Sequence, residues 1–268
     1  MLHLRDAGTG PKTNPDLQQG ETPPSLKLLR DLVKTLPDFP SSVAQRPEVS
    51  RVIVVPARSE RHFRIVHLCN WHLIPQRDFE AVLKADGLQA DEIDRRFAQH
   101  ELRVESIQRE QYSLMTFLVP ELKLRSIHLE GLCDGDAEHF LKRLRQIRAA
   151  GLIRNAQPSK TSTMEMIRQE RLLAGTAGQL LIEGVLDVLP LEDRGVFEAA
   201  NPFKSNGGFD DDSLTTELRE SAMVRHLIHD GATTFVILGG LHDLSDNIPD
   251  DCEYVRIETT RYSQLMNP

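Results

Sequence analysis

Asp91 to Leu118 reads DEIDRRFAQHELRVESIQREQYSLMTFL, and its spacing decides the fold. Ile93, His100, Ile107 and Leu114 recur every seven residues, as do Phe97, Val104, Gln111 and Leu118. Residues seven apart lie two turns apart on one helix face. The run therefore predicts a long amphipathic helix whose inner stripe has two polar interruptions, His100 and Gln111. Pro120 ends it, since proline lacks the donor that a helix interior needs. Before it stand Arg51-Val52-Ile53-Val54-Val55-Pro56 and the alternating run His62 to Leu68, read as two strands joined by a hairpin through Ala57 to Arg61. After it comes a strand from Leu124 to Glu130. Strand, long helix, strand is the layout of a parallel crossover unit.

The rest of the chain extends that unit. Pro75 starts a helical region, Ala137 to Ala150 reads as a helix closed by Gly151, and Thr163 to Ala174 as another. From Gln179 to Pro190 a helical end runs into a strand at Val185 to Leu189 that finishes at Glu192-Asp193. Gly207-Gly208 and Asp210 to Asp212 read as a loop, followed by a helix from Ser213 to about Asp230. Strands at Thr233 to Leu238 and Glu253 to Glu258 close the sequence. The class expected is α/β, with a mixed, mostly parallel sheet flanked by helices. Residues 1–45, rich in proline and poor in periodic apolar positions, read as a flexible arm with a short amphipathic helix at Ser25 to Val33. Residues 46–268 read as a single domain.

The formal charge of −8 argues against general nucleic-acid binding. No window approaches the roughly 18 apolar residues of a membrane span, and the first residues lack the apolar core of a signal peptide. These features make a cytoplasmic address the expectation; oligomeric state is left open. Cys69, Cys133 and Cys252 are far apart with no Cys-x-x-Cys pair, which suggests buried packing rather than a disulfide framework or zinc ribbon.

Three apolar runs end on side chains able to bind metal. Phe63 to His67 leads to Trp71-His72, Ile127-His128-Leu129 leads to Glu130, and Phe235 to Leu238 leads through Gly239-Gly240-Leu241 to His242-Asp243. In open α/β sheets ligands bind outside the carboxyl ends of the strands, so these ends could share one pocket. His67 and His72 would fall on opposite faces of a straight strand and could share a metal only if the chain bends after Leu68. The alternative is one buried and one surface histidine. Glu130 reads as a carboxylate ligand, a general base or a salt-bridge partner. The glycine pair before His242 allows a tight turn that presents His242 at the sheet edge. Supporting positions are His100 and Gln111 on the long helix, His128 on the face of Glu130, Glu192, and Asp243. Asp193 reads equally well as a carboxylate of the pocket or as a helix cap. No Gly-x-Ser-x-Gly elbow, Walker loop or His-Glu-x-x-His is present.

The order of these motifs resembles the superfamily that joins TraB, Tiki, ChaN and the erythromycin esterases. Val66-His67-Leu68-Cys69-Asn70-Trp71-His72 looks like its first motif, Ile127-His128-Leu129-Glu130 like its second, and Gly239-Gly240-Leu241-His242 like its third, over roughly residues 50–260. The resemblance implies an α/β core with a polar pocket, in proteins that are metal-dependent proteases, ester-cleaving enzymes or handlers of haem iron. The expected function is therefore that of a metal-dependent hydrolase acting on a small molecule or peptide. A divalent ion would be held by His67, His72, Glu130 and His242, with Glu130 and His242 as the catalytic pair. The alternative is a ChaN-like protein that binds haem or another iron compound without hydrolysis.

Overall fold

A computed structural model describes residues 39–154, 161–200, 213–230 and 233–266. The helix expected at Ser25 to Val33, most of the arm, and the loop at Gly207 to Asp212 lie outside these residues. In chain order the elements are α1 (Phe39–Ala44), β1 (Val49–Val55), β2 (Phe63–Asn70), α2 (Gln76–Ala85), α3 (Ala90–Leu122), β3 (Ser126–Cys133), α4 (Ala137–Arg154), α5 (Thr161–Ile182), β4 (Asp187–Glu192), α6 (Arg194–Ala200), α7 (Ser213–Asp230), β5 (Thr233–Gly239), β6 (Cys252–Thr259) and α8 (Thr260–Met266). Phe39 and Val43 on α1 are buried in the main core.

Six strands form one sheet in the order β1-β6-β2-β5-β3-β4. Pairing is parallel from β6 through β4, and β1 alone is antiparallel, on the outer edge of β6. The expected hairpin between β1 and β2 therefore does not form, although the two runs are neighbours in sequence. The burial explains it. Arg64 to Asn70 are all buried, as a central parallel strand covered on both faces requires, whereas β1 is half exposed and suits an edge.

The long helix forms as its seven-residue spacing predicts. Ile93, Phe97, His100, Val104, Ile107, Gln111, Leu114 and Leu118 are all buried. Pro120 falls inside the last turn, and Lys123 closes the helix in the left-handed conformation. Gly151 does not stop α4, consistent with the roughly 1 kcal/mol that one interior glycine costs relative to alanine. Helix α5 passes through the expected end at Ala174, but Gly175 breaks it with φ 63° and ψ −168°.

Helices α3 and α5 cover one sheet face, with Leu114, Met115, Leu118, Ala177 and Leu180 packed on Val66, Leu68, Ile127, Ile237 and Val255. Helix α7 covers the other, through Met223, Val224 and Leu227 against Ile65, Val236, Leu238 and Tyr254. Each such aliphatic side chain contributes about 1.5–3 kcal/mol on burial, so both faces are strongly anchored. All three cysteines are buried and free. Among the described residues no helix is long and apolar enough to cross a membrane.

Strand β5, late in the chain, lies between β2 and β3. That insertion brings the carboxyl ends of β2, β5 and β3 side by side, with Asn70 in register with Gly239.

Candidate functional site

Glu130 is the centre of the polar cluster at this edge. The register of β3 against β4 shifts after Leu129, and Gly131 takes a positive φ of 77°. Such irregularities re-aim side chains at a strand end. Four donors converge on the carboxylate: His72 Nε2 at 2.6 Å and the Gly239 amide at 2.5 Å on Oε2, with Arg219 Nη2 at 3.2 Å and His242 Nε2 at 3.3 Å on Oε1. Burial alone would raise the Glu130 pKa, but the two imidazoles outweigh it and hold the carboxyl well below its ordinary 4.5. Gly239 leaves room for this convergence. A Cβ there would lie 3.2 Å from both Glu130 Oε2 and His72 Nε2, and 3.5 Å from His242 Cδ2.

His72 is oriented by a directed chain of hydrogen bonds. The Cys69 carbonyl can only accept, so the Gln111 nitrogen that contacts it at 2.9 Å is the donor nitrogen. The same nitrogen donates to Asn70 Oδ1 at 3.1 Å, which leaves Asn70 Nδ2 facing His72 Nδ1 at 3.2 Å. His72 Nε2 then carries the hydrogen given to Glu130. The Thr176 hydroxyl closes the chain by donating to Gln111 Oε1 at 2.9 Å. The His72 side chain is 45% exposed, against 12% for Glu130. Burial lowers the basicity of His72, yet the charge and hydrogen bond of Glu130 raise its pKa above 6.5 overall.

His242 is fixed from both sides. Its Nδ1 donates to Glu220 Oε1 at 2.8 Å while Nε2 faces Glu130. Burial opposes the charged ring, but the two carboxylates push the pKa up to about 9. The turn carrying it is clamped by Arg256, which donates to the carbonyls of His242 (2.8 Å) and Gly240 (2.5 Å). A Cβ on Gly240 would collide with the Tyr262 hydroxyl, so the second glycine is needed. Arg219 joins the remaining acid to the centre. It makes a forked contact with Glu192, at 2.6 and 3.2 Å, reaches Glu130, and stacks over Phe197.

Three of the four expected ligands thus meet: His72, Glu130 and His242. His67 does not. It is fully buried within β2, accepting from the Tyr254 hydroxyl at Nδ1 (2.6 Å) and donating from Nε2 to the Leu238 carbonyl (3.2 Å). Burial and the nearby Arg256 charge push its pKa down to about 3, so it is a neutral core histidine. Of the supporting positions, Gln111 acts through Asn70, and Glu192 acts through Arg219. His100 accepts from the Ile74 amide at 3.2 Å and stacks on Phe79, which holds the loop after His72 rather than the ring itself. His128 is buried opposite Val236. The Asp243 side chain accepts from the Ser245 amide and shapes the turn beyond His242. Asp193 accepts from the Val196 amide, the capping role.

Arg219, Glu220 and Asn70 were not among the residues expected from sequence. Arg219 and Glu220 look like surface charges on a helix. Their spacing of four and seven residues from the buried Met223 and Leu227 is the signal that places them inward.

Beside His72 and Glu130 opens a cleft of 160 Å³, whose walls also include Asn70, Gly131, Leu132, Phe140, Leu172 and Leu173. Among the described residues no group of three or more His, Cys, Asp or Glu side chains is set to hold a metal ion. The cause is visible in the donors. Those of His72, Glu130 and His242 face one another instead of a common point, and the Arg219 guanidinium already sits on Glu130. As arranged, these side chains satisfy one another in a hydrogen-bonded network centred on Glu130, a poor fit to the divalent ion expected from sequence. No protein-family model, curated protein or solved structure matches the chain.

Proposed function

We propose that this protein is a hydrolase that activates water by acid–base chemistry at His72 and Glu130, with His242 and Arg219 supplying positive charge. One observation carries the reading: a single buried carboxylate, Glu130, holds imidazoles from two different strand ends, and it lines a cleft together with one of them, His72. The three-motif resemblance to ester-cleaving members of the TraB and erythromycin-esterase superfamily supports the same reaction class.

Glu130 accepts the Nε2 hydrogen of His72 and strengthens the ring as a base, as a carboxylate does for histidine in many hydrolytic sites. The basic nitrogen is then Nδ1, whose lone pair accepts from Asn70 Nδ2 at 3.2 Å until water displaces that amide. Water gives a proton to Nδ1 as its oxygen bonds to the substrate carbonyl carbon. When the carbon–oxygen bond to the leaving group breaks, the same proton passes to the departing alkoxide, so ester and water become acid and alcohol. Charged His242 and Arg219 act through Glu130, keeping that carboxylate ionised as the partner of His72. For haem the cleft is small, since ligand pockets usually reach about 300–1,000 Å³.

The test is hydrolysis of short-chain p-nitrophenyl esters by the purified chain, with His72→Ala as the control. Activity that falls by about 10²-fold or more in the variant, with circular dichroism unchanged, is the expected result. Activity equal in both proteins, or no hydrolysis by the native chain, overturns the reading.

A further inference from the structure

The cleft beside His72 has walls of two chemical kinds. The strand ends supply Asn70, His72, Glu130 and Gly131, whereas α4 and α5 supply Phe140, Leu172 and Leu173, with Leu132 beneath. Leu173 is 49% exposed, an unusual position for a large apolar side chain beside a polar cluster.

Helix α5 is broken where it passes this cleft. Gly175 adopts φ 63° and ψ −168°, a region that is essentially closed to other residues. Space is not the reason for the glycine, because a Cβ there would meet only Gln108 Nε2, at 3.8 Å. The break is fastened to α3 on both sides. Gln108 donates to the Leu172 carbonyl at 2.8 Å, and the single Thr176 hydroxyl hydrogen goes to Gln111 Oε1 at 2.9 Å, with the Gln108 carbonyl also in reach at 3.2 Å. The same Gln111 orients His72 through Asn70, so one set of bonds fixes both the apolar wall and the base.

We propose that this cleft is the acyl subsite of the hydrolase and takes a short apolar acyl group whose carbonyl lies at His72. The inference rests on the hydrolytic reading above and adds the substrate class. Its size follows from the volume. A cleft of 160 Å³ encloses a group the size of a propionyl or butyryl chain, whereas an octanoyl chain would run out of it into solvent.

The experiment compares p-nitrophenyl acetate, butyrate and octanoate on the native chain and on Leu173→Trp, which puts an indole into the apolar wall. The native chain is expected to prefer butyrate over octanoate by at least about tenfold in kcat/KM. In Leu173→Trp the butyrate-to-acetate ratio is expected to fall by about tenfold or more. A native profile rising to octanoate, or a ratio unchanged in the variant, overturns the subsite. Binding is read separately by saturation-transfer NMR with butyramide, a neutral stand-in for the acyl half. A methyl signal seen with the native chain and lost with Leu173→Trp supports the subsite, and its absence with the native chain overturns it. Butyramide binding without hydrolysis of any ester would sink the reaction and leave the subsite standing.

Discussion

Glu130 accepts four hydrogen bonds, two of them from charged or chargeable rings, so it is the residue whose loss costs most. Glu130→Gln keeps the shape but turns one acceptor into a donor facing other donors. We expect the ester-cleaving activity to disappear and urea denaturation to show a loss of about 3–5 kcal/mol, the usual penalty for leaving a buried cation without its partner. Gly239→Ala separates the two effects. Its Cβ would press 3.2 Å from both His72 Nε2 and Glu130 Oε2, which parts the dyad while most of the core stays intact. The expected outcome is a deep loss of activity with a stability cost of about 1–3 kcal/mol. A variant as active as the native chain would contradict the placement of His72 on Glu130. For His242, the ring is expected to titrate near 9 by NMR and to move toward 6.5 in Glu220→Gln, since that carboxylate is one of the two that raise it.

At the scale of the element, β2 carries both the most legible and the most misleading signals. Its apolar run ends in a histidine on the strand and another beyond it, and the pattern does not say which one serves the site. His67 lies inside a strand with neighbours on both sides, where both ring nitrogens find partners in the core. His72 lies past Asn70, where the chain leaves the sheet. Helix α3 was readable in all but its last turn because its stripe repeats over many turns, and of its two polar interruptions Gln111 contacts the β2 end and His100 the loop beyond it. Helix α7 was harder to read, because a buried Arg219-Glu220 pair has the composition of a solvated face. The hairpin expected of β1 and β2 shows the limit of local reasoning. Proximity in sequence favours pairing, but the strand that fills the edge of β2 comes nearly two hundred residues later.

For the whole molecule, opposite shifts of two histidines set the pH range. His67, depressed to about 3, contributes stability that is complete above its unfolded value near 6.5 and is lost as pH falls toward 3. His242, raised to about 9, contributes stability that is complete below about 6.5 and is lost as pH rises through 9. The stability maximum is therefore expected near pH 6.5. Urea midpoints measured from pH 4 to 10 check it, and the alkaline decline is expected to flatten in Glu220→Gln. A second whole-molecule expectation concerns metal. Because Arg219 and the histidines satisfy Glu130 between them, the purified chain is expected to carry no stoichiometric divalent ion and to keep its activity in a chelator. Stoichiometric metal that is lost in His242→Ala would overturn the network reading.

Strand β5 has a consequence for synthesis. The chain emerges with β2 and β3 already made, yet the strand that must lie between them follows only after residue 232. Until then the apolar edges of both have no permanent neighbour, and unpaired central strands are the kind that stick to other chains. A nascent chain halted near residue 230 would hold both His72 and Glu130 with nothing to bring them into register. Competence at this edge arrives in a single late step, and a ribosome-stalled or truncated product ending there is expected to be inert and to need chaperones to stay dispersed.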